Sequence, residues 1–294
     1  MPLTTEASTG APVGVPVGLP VGVLEIGGSH VTAARVRQSD WSVEIVARSS
    51  LDPHAPADQL VADLAAAGRA VLTDGLRLAM PGPFDYTAGV AWYQGVQKFD
   101  ALYGVDLRAR LAEALDLPGT ALRFVNDAEA FAVGEWTAGT TRGRTSCVGV
   151  TLGTGVGSAF LREGKAIRAG SDVPPNGELF RVTPPIEDHM SHRAIVAAYE
   201  RATGEELPGV REIAERAESG QRQAIDVLNT AFIALAEALS PWLKSFGAEA
   251  VVLGGAISGA FDLTRPAFEA ALGIPIPITV TANTEHSAIV GAAR

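Results

Sequence analysis

Cysteine and positive charge are both scarce in this sequence. Of 294 residues only Cys147 is a cysteine, which permits no internal disulfide and is typical of a reducing compartment, so we expect a cytoplasmic protein. Lys and Arg number 23 against 33 Asp and Glu, and the net charge is −10. Because nucleic acids are bound through clustered Lys and Arg, this balance argues against a nucleic-acid partner. It does not exclude a phosphorylated ligand, because backbone amides bind phosphate without net positive charge.

Long apolar runs are missing as well. The N-terminal stretch GAPVGVPVGLPVGV is apolar but short, and Pro12, Pro16 and Pro20 would break a helix. No Lys or Arg precedes it, which argues against a signal peptide. We expect residues 1–20 to form a flexible, extended tail, and we expect no segment that spans a membrane.

Two common nucleotide-binding motifs are absent or lack their context. No G-x-x-x-x-G-K-[ST] sequence occurs, which excludes a P-loop protein. GTGVG at 153–157 suggests a dinucleotide-binding fold, but that fold requires a helix next. The strand-like run SAFLREGKAI follows instead, so this motif does not indicate a dinucleotide.

Strand-like and helical segments alternate through the remaining sequence. We predict buried strands in VGVLEIGG, GLRLAMPGP, TALRFVND and AEAVVLGGAIS, and hairpins that involve VTAARVR and SCVGVTLGTGVGSAFLREGKAIRAG. Helical spacing marks PADQLVADLAAAGRA, DLRARLAEALDL, AEAFAVGEW, TEHSAIVGAAR and most of Ile195 to Phe246. The mixture predicts an α/β chain, and its length fits one large domain or two lobes.

Glycine turns follow three of the predicted strands, at 25–29 (EIGGS), 151–158 (TLGTGVGS) and 252–258 (VLGGAIS). Glycine brings the backbone close to a ligand and permits positive φ, so that consecutive amides can point at phosphate oxygens. A tight hairpin or close packing would explain any one of these turns equally well. Three of them, spread over the chain, predict two lobes that close on one nucleotide.

The order of these motifs resembles the ROK family of sugar kinases and repressors, within the actin-like sugar-kinase superfamily. EIGGSH resembles its first phosphate motif, AMPGPFD its Pro-Gly-Pro turn and FVNDAEAFAVGE its Asn-Asp segment. VTLGTGVGSAFLREGKAIRAG resembles its second phosphate motif, GEL the start of its Gly-Glu-x-Gly-His motif, and VVLGGAIS its adenosine motif. The resemblance runs from about Val21 to Arg294. It implies a two-lobed actin-like ATPase (ribonuclease H-like) α/β fold, with a smaller lobe of 21–118 plus the helix 284–294, a larger lobe of 119–283, and a homodimer.

The resemblance also implies a site in the cleft between the lobes, where ATP, Mg²⁺ and a sugar or polyol would bind. Asp127 would be the general base, and Asn126 and Gly82 would contact the sugar. From the residues alone, Asp127 could equally be the N-cap of the helix that follows, and Asn126 could cap it as well. The glycine turns would hold the phosphates at Gly27, Gly28, Ser29, Gly153, Thr154 and Gly155, and the adenosine at Gly254 and Gly255.

Several positions depart from the family pattern. Glu25 stands where the family usually has Asp, and its carboxylate would hold Mg²⁺ through water. His30 replaces the usual Lys. The sugar-contacting Asn of the family has no clear match; Gln94 or Lys98 could take its role, although single polar residues are more often on the surface. The aromatic residues nearby are expected in a core or a lobe interface: Trp92, Tyr93, Phe99 and Tyr103.

The segment 177–190 (GELFRVTPPIEDHM) combines acids and histidine in a way that suggests a metal site. Many ROK proteins bind structural zinc through cysteines that follow the Gly-Glu-x-Gly-His motif. No cysteine follows here, and His189 and His192 alone cannot supply the four tetrahedral ligands of zinc. We therefore predict no zinc site.

The acids of this segment match sugar-binding positions of the family. Glu178 matches the Glu of the Gly-Glu-x-Gly-His motif and Glu187 matches a second Glu beyond the cysteines. Carboxylates suit this role because each offers two acceptor oxygens to sugar hydroxyls. Arg181 stands where the motif has His, and it would read a different hydroxyl pattern, pair with Glu178 or face solvent.

The function that the resemblance implies is an ATP-dependent carbohydrate kinase, which transfers the γ-phosphate to a hydroxyl of a hexose-like acceptor. One alternative is a non-catalytic or regulatory ROK protein that binds a sugar; another is a kinase that uses polyphosphate or acts on a cyclitol. Regulators of the family carry an N-terminal helix-turn-helix, but only about twenty Pro/Gly-rich residues precede the first phosphate strand here. The net charge of −10 weighs against both DNA and polyphosphate.

Overall fold

Two five-stranded β-sheets organise this computed structural model, which describes residues 18–95 and 98–294. The predicted tail, residues 1–20, lies almost entirely outside the described residues. The strands are β1 Val21–Ile26, β2 His30–Arg37, β3 Ser42–Ser50, β4 Leu76–Met80, β5 Phe84–Asp85, β6 Val90–Ala91, β7 Leu122–Asn126, β8 Ser146–Leu152, β9 Val156–Arg162, β10 Lys165–Ala166, β11 Ala250–Gly254 and β12 Ile278–Val280. The α-helices are α1 Ala57–Val71, α2 Leu107–Leu115, α3 Asp127–Ala138, α4 Glu187–Met190, α5 His192–Thr203, α6 Val210–Glu218, α7 Arg222–Phe246, α8 Phe261–Leu272 and α9 Thr284–Ala293.

The two sheets have the same topology. The strand order is β3-β2-β1-β4-β7 in the first sheet and β10-β9-β8-β11-β12 in the second. In each sheet the first strand in the chain pairs antiparallel with the next strand and parallel with the fourth. The β1–β2 and β8–β9 turns, which we predict to bind phosphate, therefore occupy equivalent positions in the two sheets.

The first sheet extends further along the chain than the smaller lobe that we predict. β7 pairs in parallel with β4, from Leu76 opposite Leu122 to Met80 opposite Asn126. The sheet thus ends at Asn126, beyond the boundary after residue 118. The C-terminal helix α9 packs against this sheet as well, since its buried residues share an apolar cluster with β1 and β4.

Two large apolar cores hold the sheets and helices together. In the first, leucines of α1 and α2, such as Leu60 and Leu111, pack with Leu24 and Leu78 of the first sheet. The second core packs helices α4 to α8 against the second sheet. Burial of apolar area at this scale is the main force that stabilises such a fold.

Helix α7 occupies the centre of the second core. It is 25 residues long and apolar enough, by length and composition, to cross a membrane, a feature that we do not predict from the sequence. In the structure Leu228, Phe232, Leu235 and Leu239 are completely buried against the second sheet and α8. One buried face at helical spacing is the arrangement of a core helix in a folded domain.

Helices α3 and α9 pack unusually closely, at the boundary between the sheets. A Cβ atom on Gly134 of α3 would overlap the carbonyl oxygen of Ser287 in α9. In the same way a Cβ atom on Gly291 of α9 would overlap the carbonyl oxygen of Ala130 in α3. The two glycines therefore permit a backbone-to-backbone approach that no other residue would allow.

The aromatic residues between β6 and α2 divide into two pairs. Tyr93 and Phe99 are buried, and their rings pack 5.5 Å apart. Trp92 and Tyr103 are 46% and 50% exposed. Of the two predicted places, a core or a lobe interface, the core is therefore wrong for Trp92 and Tyr103, whose rings pack edge to face at the surface.

Candidate active site

A cavity of about 250 Å³ opens beside the carboxyl end of β7. Its size is just below the ~300–1,000 Å³ of typical small-molecule sites. One wall comes from the segment after β4 and contains Pro83, Phe84, Tyr86 and Trp92. The opposite wall comes from β9 and the segment after it and includes Ser158, Arg168, Glu178 and Arg181, while Asn126 and Glu129 contribute from β7 and α3.

Asn126 and Asp127 stand where β7 passes into α3, and the structure resolves which of them caps the helix. The Asn126 side-chain oxygen accepts a hydrogen bond from the Glu129 amide at 3.0 Å, so Asn126 is the N-cap. The Asp127 carboxylate accepts only from the neighbouring Ala128 amide, at 2.8 Å, and no side chain of the described residues hydrogen-bonds to it. Asp127 is thus left available for another role.

The electrostatic surroundings of Asp127 favour a proton acceptor. Burial raises the pKa of Asp127 above its usual value, and the positive charge of Lys98 opposes that rise. A carboxylate with a raised pKa is a better base than one in water, provided that it stays ionised near neutral pH. Lys98 is one of the two candidates for a sugar contact, and its positive charge acts on Asp127. The other candidate, Gln94, is exposed.

Tyr86 connects the predicted sugar-binding residues. The Asn126 side-chain nitrogen donates to the Tyr86 hydroxyl at 2.8 Å, and that hydroxyl donates to the Met80 carbonyl at 3.2 Å. Gly82 adjoins this network, because a Cβ atom there would lie 3.5 Å from the Tyr86 hydroxyl and 4.0 Å from the Asn126 nitrogen. Both polar atoms of the Asn126 amide are therefore held in place.

Two ion pairs line the cavity. Arg181 donates from Nε to Glu178, and its guanidinium lies 5.0 Å from the Phe180 ring centroid. Pairing with Glu178, one of the roles expected for Arg181, is thus present in the structure. The second pair joins Arg168 to Glu129 through two guanidinium nitrogens, Nε and Nη2, at 2.7–3.1 Å. Each carboxylate is matched by one guanidinium, so these four side chains add no net charge to the cavity.

Glu187 lies apart from the cavity. Its Oε1 accepts a hydrogen bond from the Val156 amide at 2.8 Å, and a Cβ atom on Gly155 would overlap the same oxygen. The carboxylate is therefore held against the β8–β9 turn, which we predict to bind phosphate. The structure thus brings Asn126, Glu178 and Arg181 together around one cavity but leaves Glu187 at a neighbouring turn.

The two glycine turns of the second sheet meet at its carboxyl edge. Gly254 at the end of β11 pairs with Thr151 of β8, next to the turn at Gly153, Thr154 and Gly155. Gly255 has φ of +85°, and a Cβ atom there would overlap the Leu152 backbone. Its amide donates to the Thr284 hydroxyl at 2.7 Å. The third turn, Gly27, Gly28 and Ser29, joins β1 to β2 in the first sheet.

A cluster of Glu25, His30 and Glu285 lies at this first turn. One potential ligand atom from each of the three lies within 4.8 Å of the others. Burial and, to a smaller extent, the nearby carboxylates of Glu285 and Asp127 raise the pKa of Glu25 to about 8, against the positive charge of Arg48. Arg48 forms its ion pair with Glu285 rather than with Glu25, so no Lys or Arg of the described residues pairs with Glu25.

The same cluster fits a divalent cation. Glu25 Oε2 and Glu285 Oε1 are inaccessible to solvent and have no hydrogen-bond partner among the described residues. Carboxylate oxygens are the ligands that Mg²⁺ prefers, usually with several waters retained. His30 lies 3.9 Å from Glu25, and its imidazole covers Gly27. Glu25, the predicted Mg²⁺ residue, thus has a second carboxylate beside it.

Some residues of this region are not predicted from the sequence. No pattern in the sequence of α9 marks Glu285 as a site residue. Only the packing of α9 onto the first sheet brings Glu285 to the β1–β2 turn. Tyr86 and the Arg168–Glu129 pair are likewise long-range contacts.

His189 and His192 belong to no cluster of three potential metal ligands in residues 18–95 and 98–294. The absence of zinc therefore stays a prediction.

The model of the ROK family matches residues 21–175 and 184–293 of this sequence, and the chain belongs to that family. The glucokinase of Thermotoga maritima is 27% identical over 211 residues, which cover 63% of this chain and 65% of the glucokinase. The chain therefore aligns with somewhat less than two thirds of the length of that relative. The family prediction is confirmed.

Solved structures confirm the predicted fold. The ROK hexokinase of Thermus thermophilus is similar with a TM-score of 0.76 at 21% identity, over 94% of this chain and 97% of that one. The ROK family glucokinase of Streptomyces griseus, in complex with glucose and AMPPNP, gives a TM-score of 0.73 at 20% identity, over 93% and 98% of the two chains. The chain thus has the two-lobed actin-like ATPase fold and resembles sugar kinases.

Proposed function

We propose that this protein is an ATP-dependent kinase for a hexose-like sugar, with Asp127 as the general base. The observation that carries the proposal is the position of Asp127. It follows Asn126, which lines the cavity, and its charge also acts on Glu25 in the carboxylate cluster. Asp127 does not itself line the cavity, but it adjoins a lining residue and acts electrostatically on the candidate cation cluster, an arrangement that suits phosphoryl transfer to a hydroxyl.

In this proposal Asn126, Glu178 and Arg181 orient the sugar, and Asp127 accepts the proton of the attacking hydroxyl. The backbone amides of Gly27, Gly28 and Ser29 and of the β8–β9 turn hold the phosphates, and the turn at Gly254 and Gly255 lies along the adenosine. Mg²⁺, held near Glu25 through water, would neutralise charge on the transferred phosphate. Glu187 would help to shape the phosphate turn through its bond to Val156 rather than bind sugar in this conformation.

A panel of acceptors and donors tests this function. Purified protein is incubated with Mg²⁺ and either ATP or polyphosphate, together with hexoses, amino sugars and cyclitols, and the phosphorylated product is measured. We expect transfer from ATP to at least one hexose. Sugar binding without transfer from either donor would favour the non-catalytic ROK protein, because a fold alone does not establish an activity. The same preparations would test the expectation of a homodimer, and fractionated cells the expectation of a cytoplasmic location.

A further inference from the structure

Two exposed aromatic rings meet beside the cavity: Trp92 lines it, and Tyr103, which does not, packs against Trp92. Trp92 lines the cavity, yet 46% of it is exposed. Tyr103 is 50% exposed, and the two ring centroids lie 5.7 Å apart with the rings at 73°. Large apolar side chains at this exposure are few among the described residues, and two of them meet here. An exposed apolar patch at the edge of a ligand cavity is a common mark of a binding surface.

The backbone holds both rings in position. The Trp92 amide donates to the Pro83 carbonyl at 3.1 Å, and Pro83 itself lines the cavity. The Gly104 amide, next to Tyr103, donates to the Ala91 carbonyl, next to Trp92, at 2.8 Å. These hydrogen bonds attach the two rings to the same small hairpin. Because the rings also contact each other edge to face, they form one surface patch, which we call the platform.

The cavity and the platform differ in chemistry. The cavity contains the amide of Asn126 and the ion pairs of Glu178 and Glu129, which suit a hydroxyl-rich ring, and its volume is small. The platform offers apolar surface past the rim; since its rings stand at 73°, one can stack on the C–H face of a second sugar ring while the other contacts the edge of that ring. A monosaccharide would use the cavity and leave much of the platform in water.

We propose that Trp92 and Tyr103 form a second subsite, which binds the outer hexopyranose ring of a disaccharide while the inner ring occupies the cavity. This proposal rests on the proposed sugar-kinase function and extends its acceptor class from free hexoses to disaccharides. Burial of the platform by the outer ring would then contribute affinity that a free hexose cannot obtain.

Calorimetric titration without nucleotide tests the proposal. The probes are glucose, maltose and cellobiose, and the proteins are the wild type, Trp92→Ala, Tyr103→Ala and the control Leu263→Ala. Leu263 is an exposed apolar residue of α8, outside the residues that line the cavity. We expect one disaccharide to bind wild type about three- to tenfold more tightly than glucose, and both aromatic variants to lose that advantage. The control variant should keep it.

Each other outcome has a definite meaning. If glucose binds and is phosphorylated but no disaccharide binds more tightly, the subsite is wrong and the proposed function stands. If Trp92→Ala weakens glucose and disaccharide equally, Trp92 belongs to the monosaccharide site and the proposal is overturned. If Tyr103→Ala instead dissociates an oligomer, the platform is an interface between copies of the chain, which also overturns it. If no sugar binds, both proposals fail.

Discussion

Helices α3 and α9 occupy the same place in the two halves of the molecule, since each is the element that follows the last strand of its sheet. Each begins with a capping Asn, since Asn126 accepts from the amide of Glu129 and Asn283 from that of His286, both at 3.0 Å. Each also carries, at the same spacing from its cap, the glycine that the other helix packs against. The similarity between the two halves therefore extends from the strand order of the sheets to individual hydrogen bonds.

The residue after the cap is where the two halves differ. In α3 it is Asp127, a carboxylate whose pKa is raised by burial. In α9 it is Thr284, whose hydroxyl accepts a hydrogen bond from the Gly255 amide. The equivalent position of the two helices thus presents an ionisable group in one half and a neutral hydroxyl in the other. Under the proposed function, one half positions a base for the acceptor and the other supports the turn for the nucleotide.

The largest effect is expected when the carboxylate of α3 is neutralised. Asp127→Asn should lower kcat by ~10²–10⁴, because the acceptor hydroxyl loses its base. The helix cap is on Asn126, so the melting temperature should change little. Steady-state kinetics with ATP and the best acceptor, together with thermal unfolding, measure both quantities. Near-normal turnover in the folded variant would remove Asp127 from the mechanism.

Thr284→Val provides the matched change in α9. It removes the hydroxyl that accepts from Gly255, at a cost of about 1 kcal/mol if the amide finds water instead. We expect KM for ATP to rise several-fold and kcat to change much less than in Asp127→Asn. Equal losses of kcat in the two variants would contradict the division of roles between the two helices.

The second largest effect concerns the contact between the helices. Gly134→Ala and Gly291→Ala each insert a methyl group into the backbone of the opposite helix, so each should destabilise the fold by about 1–3 kcal/mol. Denaturant unfolding would show a lower midpoint for both. Gly259→Ala is the control, because a Cβ atom at Gly259 would meet nothing within 4 Å. If the control is as destabilised as the other two, helix packing is not the cause.

Sequence patterns predict the buried elements of both halves well. β1, β4, β8 and β11 are apolar strands that end near glycine or proline, and each forms where the patterns place it. The patterns fail for β3, whose residues are mostly exposed and show no clean alternation. They also miss the three residues of β12 and the helix α8, which contains Pro266. These elements depend on pairing and packing with distant segments rather than on a local pattern.

The residues of the candidate site also divide into those that local patterns predict and those that only the fold brings together. Asp127, Glu178 and Arg181 belong to local motifs, and the sequence is enough to nominate them. Glu285 is distant in the chain from Glu25 and His30, and only the fold of α9 onto the first sheet brings the three together. The exposure of Trp92 is likewise invisible in a sequence, since an aromatic residue is buried more often than not.

A third, pH-dependent effect is expected at Glu25, which precedes the β1–β2 turn as Thr151 precedes the β8–β9 turn. Its pKa is about 8 in the folded protein against an ordinary value of 4.5. The folded state therefore holds the proton more tightly, so its stabilising contribution is complete below pH 4.5 and is lost as pH rises to about 8. Glu25→Gln stays neutral, and in metal-free protein its stability should fall less between pH 5 and 8 than that of the wild type. Parallel curves would mean that Glu25 does not carry the shift.

The smallest effect distinguishes the two capping Asn residues. Asn126 also donates to the Tyr86 hydroxyl at 2.8 Å, so Tyr86→Phe frees its amide beside the cavity. Loss of about one hydrogen bond, ~1 kcal/mol, should raise KM for the acceptor about fivefold and leave KM for ATP unchanged. Asn283→Ala should instead lower the free energy of unfolding by about 1 kcal/mol and leave KM for the acceptor unchanged. The two caps make the same bond to their helices, and only Asn126 also contacts Tyr86. If KM for the acceptor shifts as much in Asn283→Ala as in Tyr86→Phe, the contact with Tyr86 is not what determines sugar binding.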